Sequence, residues 1–137
     1  PFANPELRKR LETHIDQSGI IDHGLCPYEE VIKEKLVSCF QLYFIDSEKY
    51  DSLSVKESVY CKCIPIISTK GIFKDLKGLH FDFNTEQVQS YKNIANILAE
   101  LLNDEHKINT VREKICSDRS TVSTSEEQMK IWENIIV

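Results

Sequence analysis

The sequence predicts an α/β fold built on a mostly parallel sheet. Two short apolar runs carry that prediction. FQLYFI at 40–45 and IPIIS at 64–68 are rich in aromatic and β-branched residues and carry no charge. Such runs mark strands buried on both faces of a parallel sheet. A third observation is what separates and follows them. Helix-like segments alternate with the strands, and a long amphipathic stretch occupies 85–102. Strands alternating with helices imply parallel pairing, with the helices laid on the sheet.

The elements follow in order. Asn4-Pro5-Glu6 starts a first helix. Asn4 caps it, Pro5 suits its first position, and Glu6 favours the positive end of the dipole. Leu7, Leu11 and Ile15 recur at helical spacing, and Gly19 stops the helix. A short stretch bounded by apolar residues, Ile20 to Leu25, reads as a weak strand. Cys26-Pro27 opens a second helix with Glu29 and Glu30 in its first turn. Its apolar stripe is Tyr28, Val31, Ile32, Leu36 and Cys39. The strand at 40–45 comes next, then a polar loop at 46–53. A short helix spans 54–60 and leads to the strand at 64–68. Residues 70–78 read as a loop or broken helical turn, and 79–83 as a short edge strand. The helix at 85–102 buries Val88, Tyr91, Ile94, Ala95, Leu98, Leu101 and Leu102. Ile108, Val111 and Ile115 mark another helix. Ser123 to Glu126 is a capping box for a final helix carrying Met129, Trp132 and Ile136.

Bulk properties narrow the function. The 137 residues are expected to form a single domain, 1–137, able to bury a core without staples. Apolar residues make up 41% and charged residues 28%, as in ordinary globular chains. The net charge of −5, with no long basic run, argues against a nucleic-acid partner. No apolar run approaches the ~18 residues of a transmembrane segment. Five cysteines at irregular spacing argue against a disulfide framework and favour a reducing, cytoplasmic compartment. Cys61-Lys62-Cys63 has the look of a metal or redox site. Zinc needs a second ligand pair, and neither the other cysteines nor the four isolated histidines supply one. The two cysteines are therefore expected to pack as small apolar residues at a helix–strand junction. No metal and no other cofactor is predicted.

Ligands of open α/β sheets bind outside the carboxyl ends of the strands. The loops at 26–29, 46–54 and 69–78 qualify. The second runs into a helix N-terminus, which favours a phosphate or a carboxylate. The third carries Lys70, Lys74 and Lys77.

The segment FQLYFIDSEKYDSLSVKESVYCKCIPIIST, 40–69, resembles the nucleotide-sugar-binding segment of glycosyltransferases with the two-domain GT-B architecture. Its matching parts are a buried strand, the loop acid Asp51, and the turn Ser52-Leu53-Ser54. Glu57 follows in a helix first turn, and then a strand from Cys63 to Thr69 with Pro65 near its start. Gly24 to Tyr28 and the helix end Ala99 to Asp104 extend the likeness. The resemblance implies a Rossmann-like mostly parallel sheet flanked by helices, as part of a GT-B C-terminal domain. It also implies a ligand, a nucleotide diphosphate sugar, and hexosyl transfer to an unspecified acceptor. Glu57 would accept hydrogen bonds from the ribose hydroxyls, since two carboxylate oxygens match a vicinal diol. The amides of Ser54 and Val55 would meet the diphosphate. Asp51 would lie near the sugar, Tyr28 near the base, and Lys70 would add positive charge. The family scheme uses no bound metal; a helix N-terminus and basic side chains meet the charge on the leaving diphosphate.

The sequence departs from the pattern in places. Counting back from Glu57 by the family's spacing lands on Lys49, not on Asp51. Serine replaces glycine in the turn, and Lys62-Cys63 replaces the glycine before the proline-bearing strand. Pro1 follows the point where two further strands and a basic pair belong. The resemblance therefore implies a fragment of a larger two-domain protein, a degenerate copy, or a chain needing an N-terminal domain or partner chain. Two other readings stand beside it. Ser54 and Glu57 also form a capping box, a structural role worth about 1 kcal/mol. The fold alone also suits a non-catalytic interaction or regulatory domain, or a flavodoxin-like module.

Overall fold

A computed structural model of the chain describes residues 5–15, 17–44, 53–82 and 88–117. The chain divides into two compact units, Pro1–Val31 and Ile32–Val137.

The first unit holds α1 (Pro5–Ile15), with Glu6 in its first turn and His14 in its last. Gly19 follows at φ 90°, a conformation glycine adopts without strain. The strand expected at 20–25 does not form, and Ile21 is 79% exposed. Local turn chemistry explains the difference. The Gly24 amide donates to Asp22 Oδ1 at 2.8 Å, and Gly24 sits at φ 60°. An aspartate that bonds its own backbone two residues on makes a turn, which breaks an extended run. The unit ends in the opening of α2 (Tyr28–Val37).

The second unit contains β1 (Phe40–Leu42), α3 (Leu53–Tyr60), β2 (Ile64–Ser68) and β3 (Leu79–Phe81). A 3-10 turn, Gly71–Asp75, links β2 to β3, and α4 (Val88–Leu102) and α5 (Glu105–Cys116) follow. The three strands form one sheet in the order β1-β2-β3, and both pairings are parallel. Phe40 lies opposite Ile64, and Ile66 opposite Leu79. The chain therefore has the expected α/β class, a small parallel sheet flanked by helices in a Rossmann-like arrangement.

β2 is the centre of this unit, and every residue in it is buried. Its apolar run is continuous because both faces are covered. Ile67 packs with Val55 of α3 and with Phe73, while Ile66 packs with Ile94 of α4. Alternate strand residues point to opposite faces, so α3 and α4 cover different sides. α5 adds Ile108, Ile115 and Cys116 against Val59 and Ile64. Pro65 is tolerated in a central strand for a specific reason. The Ile64 amide donates to the Cys39 carbonyl on the β1 side, and pairing with β3 begins only at Ile66. The missing N–H of Pro65 therefore falls where no ladder bond is required.

β1 corrects an expectation. It is shorter than 40–45 and is not buried on both faces; Leu42 is 55% exposed. Among the described residues it has one neighbour, β2, and so it is an edge strand. The helical stripes are also narrower than expected. Leu36 of α2 and Ala95 and Leu102 of α4 are exposed, while Ile94 and Leu101 are buried and Tyr91 and Leu98 half-buried. The caps and helix expected at Asn4, 85–87 and 123–136, and Ile45, lie outside the described residues. No helix among the described residues is long and apolar enough to cross a membrane.

Candidate functional site

Parallel strands place their carboxyl ends at one edge of a sheet. The packing of α3 fixes where that helix begins. Val55, near its start, packs on Ile67 near the end of β2. Its last turn lies beside the start of β2, where the Cys63 amide donates to the Ser58 carbonyl at 2.9 Å. α3 therefore runs antiparallel to the strands, and its N-terminus lies at their carboxyl edge. Leu53, Ser54 and Val55 make up its first turn, where helix amides and dipole favour an anion. Leu53 is exposed and Ser54 half-buried. The Val55 side chain belongs wholly to the core, so it bears on the site through its backbone alone.

Glu57 sits one turn into α3, and its Oε2 lies 2.8 Å from the Nζ of Lys35. Lys35 comes from α2 and is buried, at 8% side-chain exposure against 16% for Glu57. The same ammonium donates to the Ser54 carbonyl at 3.1 Å and to Ser54 Oγ at 2.9 Å. Its three donors thus have three acceptors. Gln41 of β1 donates through Nε2 to Ser54 Oγ at 2.9 Å, and its Oε1 accepts from Ser58 Oγ. Ser58 is fully buried, and its Oγ lies 3.1 Å from the Ser54 carbonyl. A polar network thus joins α2, β1 and the first turns of α3. Among the described residues no buried side-chain nitrogen or oxygen lacks a partner.

This geometry revises the capping-box expectation. α3 begins at Leu53, so Ser54 is its second residue and not its cap. The Ser54 hydroxyl accepts from Lys35 and Gln41 across the fold.

No protein-family model matches the chain, and neither does a curated protein or a solved structure.

The remaining expected residues separate by position. Lys70 follows β2 at the same carboxyl edge, and its amide donates to Ser68 Oγ at 3.1 Å. Its ammonium pairs with Asp82 at 3.3 Å in an exposed contact, which solvent screens strongly. Lys74 is exposed and Lys77 half-buried. Tyr28, exposed, opens α2 within the first unit. Asp51 and Ser52 lie outside the described residues.

Cys61 and Cys63 are buried at the junction of α3 and β2. Burial pushes the Cys63 thiol up to about 11, outweighing the opposing pull of the Lys35 charge. Burial also raises Cys61 and Cys116. The thiolate is the nucleophilic and metal-binding form, so these thiols suit packing. Among the described residues no group of three His, Cys, Asp or Glu side chains is arranged to hold a metal ion.

Sequence reasoning missed Lys35 and Gln41, and did not foresee that Ser58 joins them in one network. Two signals were present. Gln41 interrupts the apolar run FQLYFI, and Ser58 stands four residues after Ser54, on the same helix face.

Proposed function

We propose that this chain binds a nucleotide diphosphate sugar at the carboxyl edge of its sheet. It would act as the donor-binding part of a GT-B glycosyltransferase, for hexosyl transfer to a glycosyl acceptor. The observation that carries this reading is the position of Glu57. It is a carboxylate one turn into a helix whose N-terminus lies at that edge. The amides of Leu53, Ser54 and Val55 would receive the diphosphate, and Glu57 the ribose diol. Lys70 would add positive charge beside them. The resemblance of 40–69 to the nucleotide-sugar segment supports the same assignment.

Titration with UDP and with GDP, followed by amide chemical shifts, tests the reading. Amides from Ser52 to Glu57 should shift at millimolar nucleotide. An intact fold in which neither nucleotide moves them overturns it.

One observation favours a second reading. Glu57 already pairs with Lys35, as it would in an α/β interaction or regulatory domain that keeps the fold without the site. Glu57→Gln separates the two. It leaves the buried Lys35 without its counter-charge, so stability falls on either reading. On the first, nucleotide affinity also falls about tenfold, the worth of one hydrogen bond to a charged group. On the second, no nucleotide binding exists to be lost.

A further inference from the structure

The Lys35 side chain is nearly as buried as the core residues around it, yet it carries a charge. Its stability role does not account for it. A buried ion pair contributes little beyond an apolar pair of the same volume. What Lys35 does uniquely is geometric. One ammonium ties together the Ser54 carbonyl, the Ser54 hydroxyl and Glu57 Oε2, all within the first turns of α3. Gln41 holds the Ser54 hydroxyl from the β1 side.

We infer that Lys35 is a positioning residue for ligand recognition, holding Glu57 and Ser54 in the orientation that reads a ribose diol and its diphosphate. The inference rests on the proposed nucleotide-sugar site. Lys35 acts through Glu57 and Ser54 and does not touch the ligand. Freedom of the Glu57 side chain would otherwise be lost at the moment of binding, and that ordering lowers affinity. The α2 helix thereby becomes part of the specificity apparatus.

The test is the preference for ribose over deoxyribose. UDP is compared with dUDP, and GDP with dGDP, by amide-shift titration of the parent chain, Glu57→Gln, Lys35→Met and Lys35→Arg. The parent should prefer the ribose form about tenfold. Glu57→Gln should remove the preference. Lys35→Met should remove it too, with the β2 amide shifts retained as a check of the fold. Lys35→Arg keeps the charge, but its planar fork does not reproduce a three-way contact; its preference should fall between those of the parent and Lys35→Met. If Lys35→Met does not fold, the arginine variant carries the test. A parent-like preference in whichever lysine variant folds overturns the inference. So does an equal loss of ribose and deoxyribose binding with the ratio unchanged, which marks a merely structural role. A parent chain that binds both forms equally overturns the diol assignment. A parent that binds none of the four nucleotides overturns the proposed function, and the inference with it.

Discussion

At Lys62 the backbone turns left-handed, with φ 61°. The hydrogen bonds around it explain why. The Cys63 amide donates to the Ser58 carbonyl at 2.9 Å, and the Lys62 amide to the Val59 carbonyl at 3.1 Å. This is the paired bonding of a Schellman motif, which closes a helix with a left-handed residue, usually glycine. Lys62 occupies that position with a Cβ, and the left-handed conformation costs a non-glycine residue about 1 kcal/mol. Lys62→Gly should therefore stabilise the chain by about 0.5–1 kcal/mol, read as a higher urea midpoint at unchanged slope. The sequence shows that lysine stands where a glycine is usual, but not that the backbone is left-handed there. Glu57 and Ser54 were legible as a pair at a helix start. Lys35 was not, because a lysine beside an apolar stripe ordinarily reads as a solvated face. Only the approach of α2 to α3 makes it a buried cation.

Elements depend on close backbone approaches that composition does not reveal. Gly78 precedes β3, and a Cβ built there would lie 2.7 Å from the Pro65 carbonyl oxygen and 2.9 Å from Ile67 Cδ1. The carbonyl belongs to the central strand and has little room to yield. Gly78→Ala should cost about 1–3 kcal/mol, measured as a lower denaturant midpoint, with β3 displaced from β2. α5 offers a milder test. Asp104 caps it by accepting the Lys107 amide at 2.9 Å. Asp104→Ala should cost about 1 kcal/mol, and amides at the start of α5 should exchange faster. β2 was legible as a continuous apolar run, and α4 and α5 by apolar residues at helical spacing. The run FQLYFI predicts a longer and more buried strand than β1 is. An apolar run shows that a segment is a strand, but not how many neighbours it has. The stretch at 20–25 opens with two isoleucines, which favours a strand, while the Asp22–Gly24 turn governs its backbone.

At the scale of the molecule, three buried thiols link the core to pH. Cys63 is raised from 9.0 to about 11, chiefly by burial. Its folded value exceeds its unfolded value, so the folded state favours the neutral thiol. That contribution is fully present below pH 9 and is lost as pH rises towards about 11. Urea midpoints between these limits should fall less steeply for Cys63→Ala than for the parent. Cys61 and Cys116 shift in the same direction and reinforce the trend. A matching steepness in both chains would mean that the thiol is not shielded from water.

The sequence by itself determined the class of fold, the buried central strand, and the helix start that carries Ser54 and Glu57. These follow from periodicity and local chemistry, which act over a few neighbouring residues. Tertiary structure alone decided that Lys35, Gln41 and Ser58 converge on that helix start, and that β1, among the described residues, lies at an edge. Lys35 and Glu57 are separated by 22 positions in the chain and by 2.8 Å in space. Charge pairing at that separation depends on how the helices and strands pack, which no local pattern encodes.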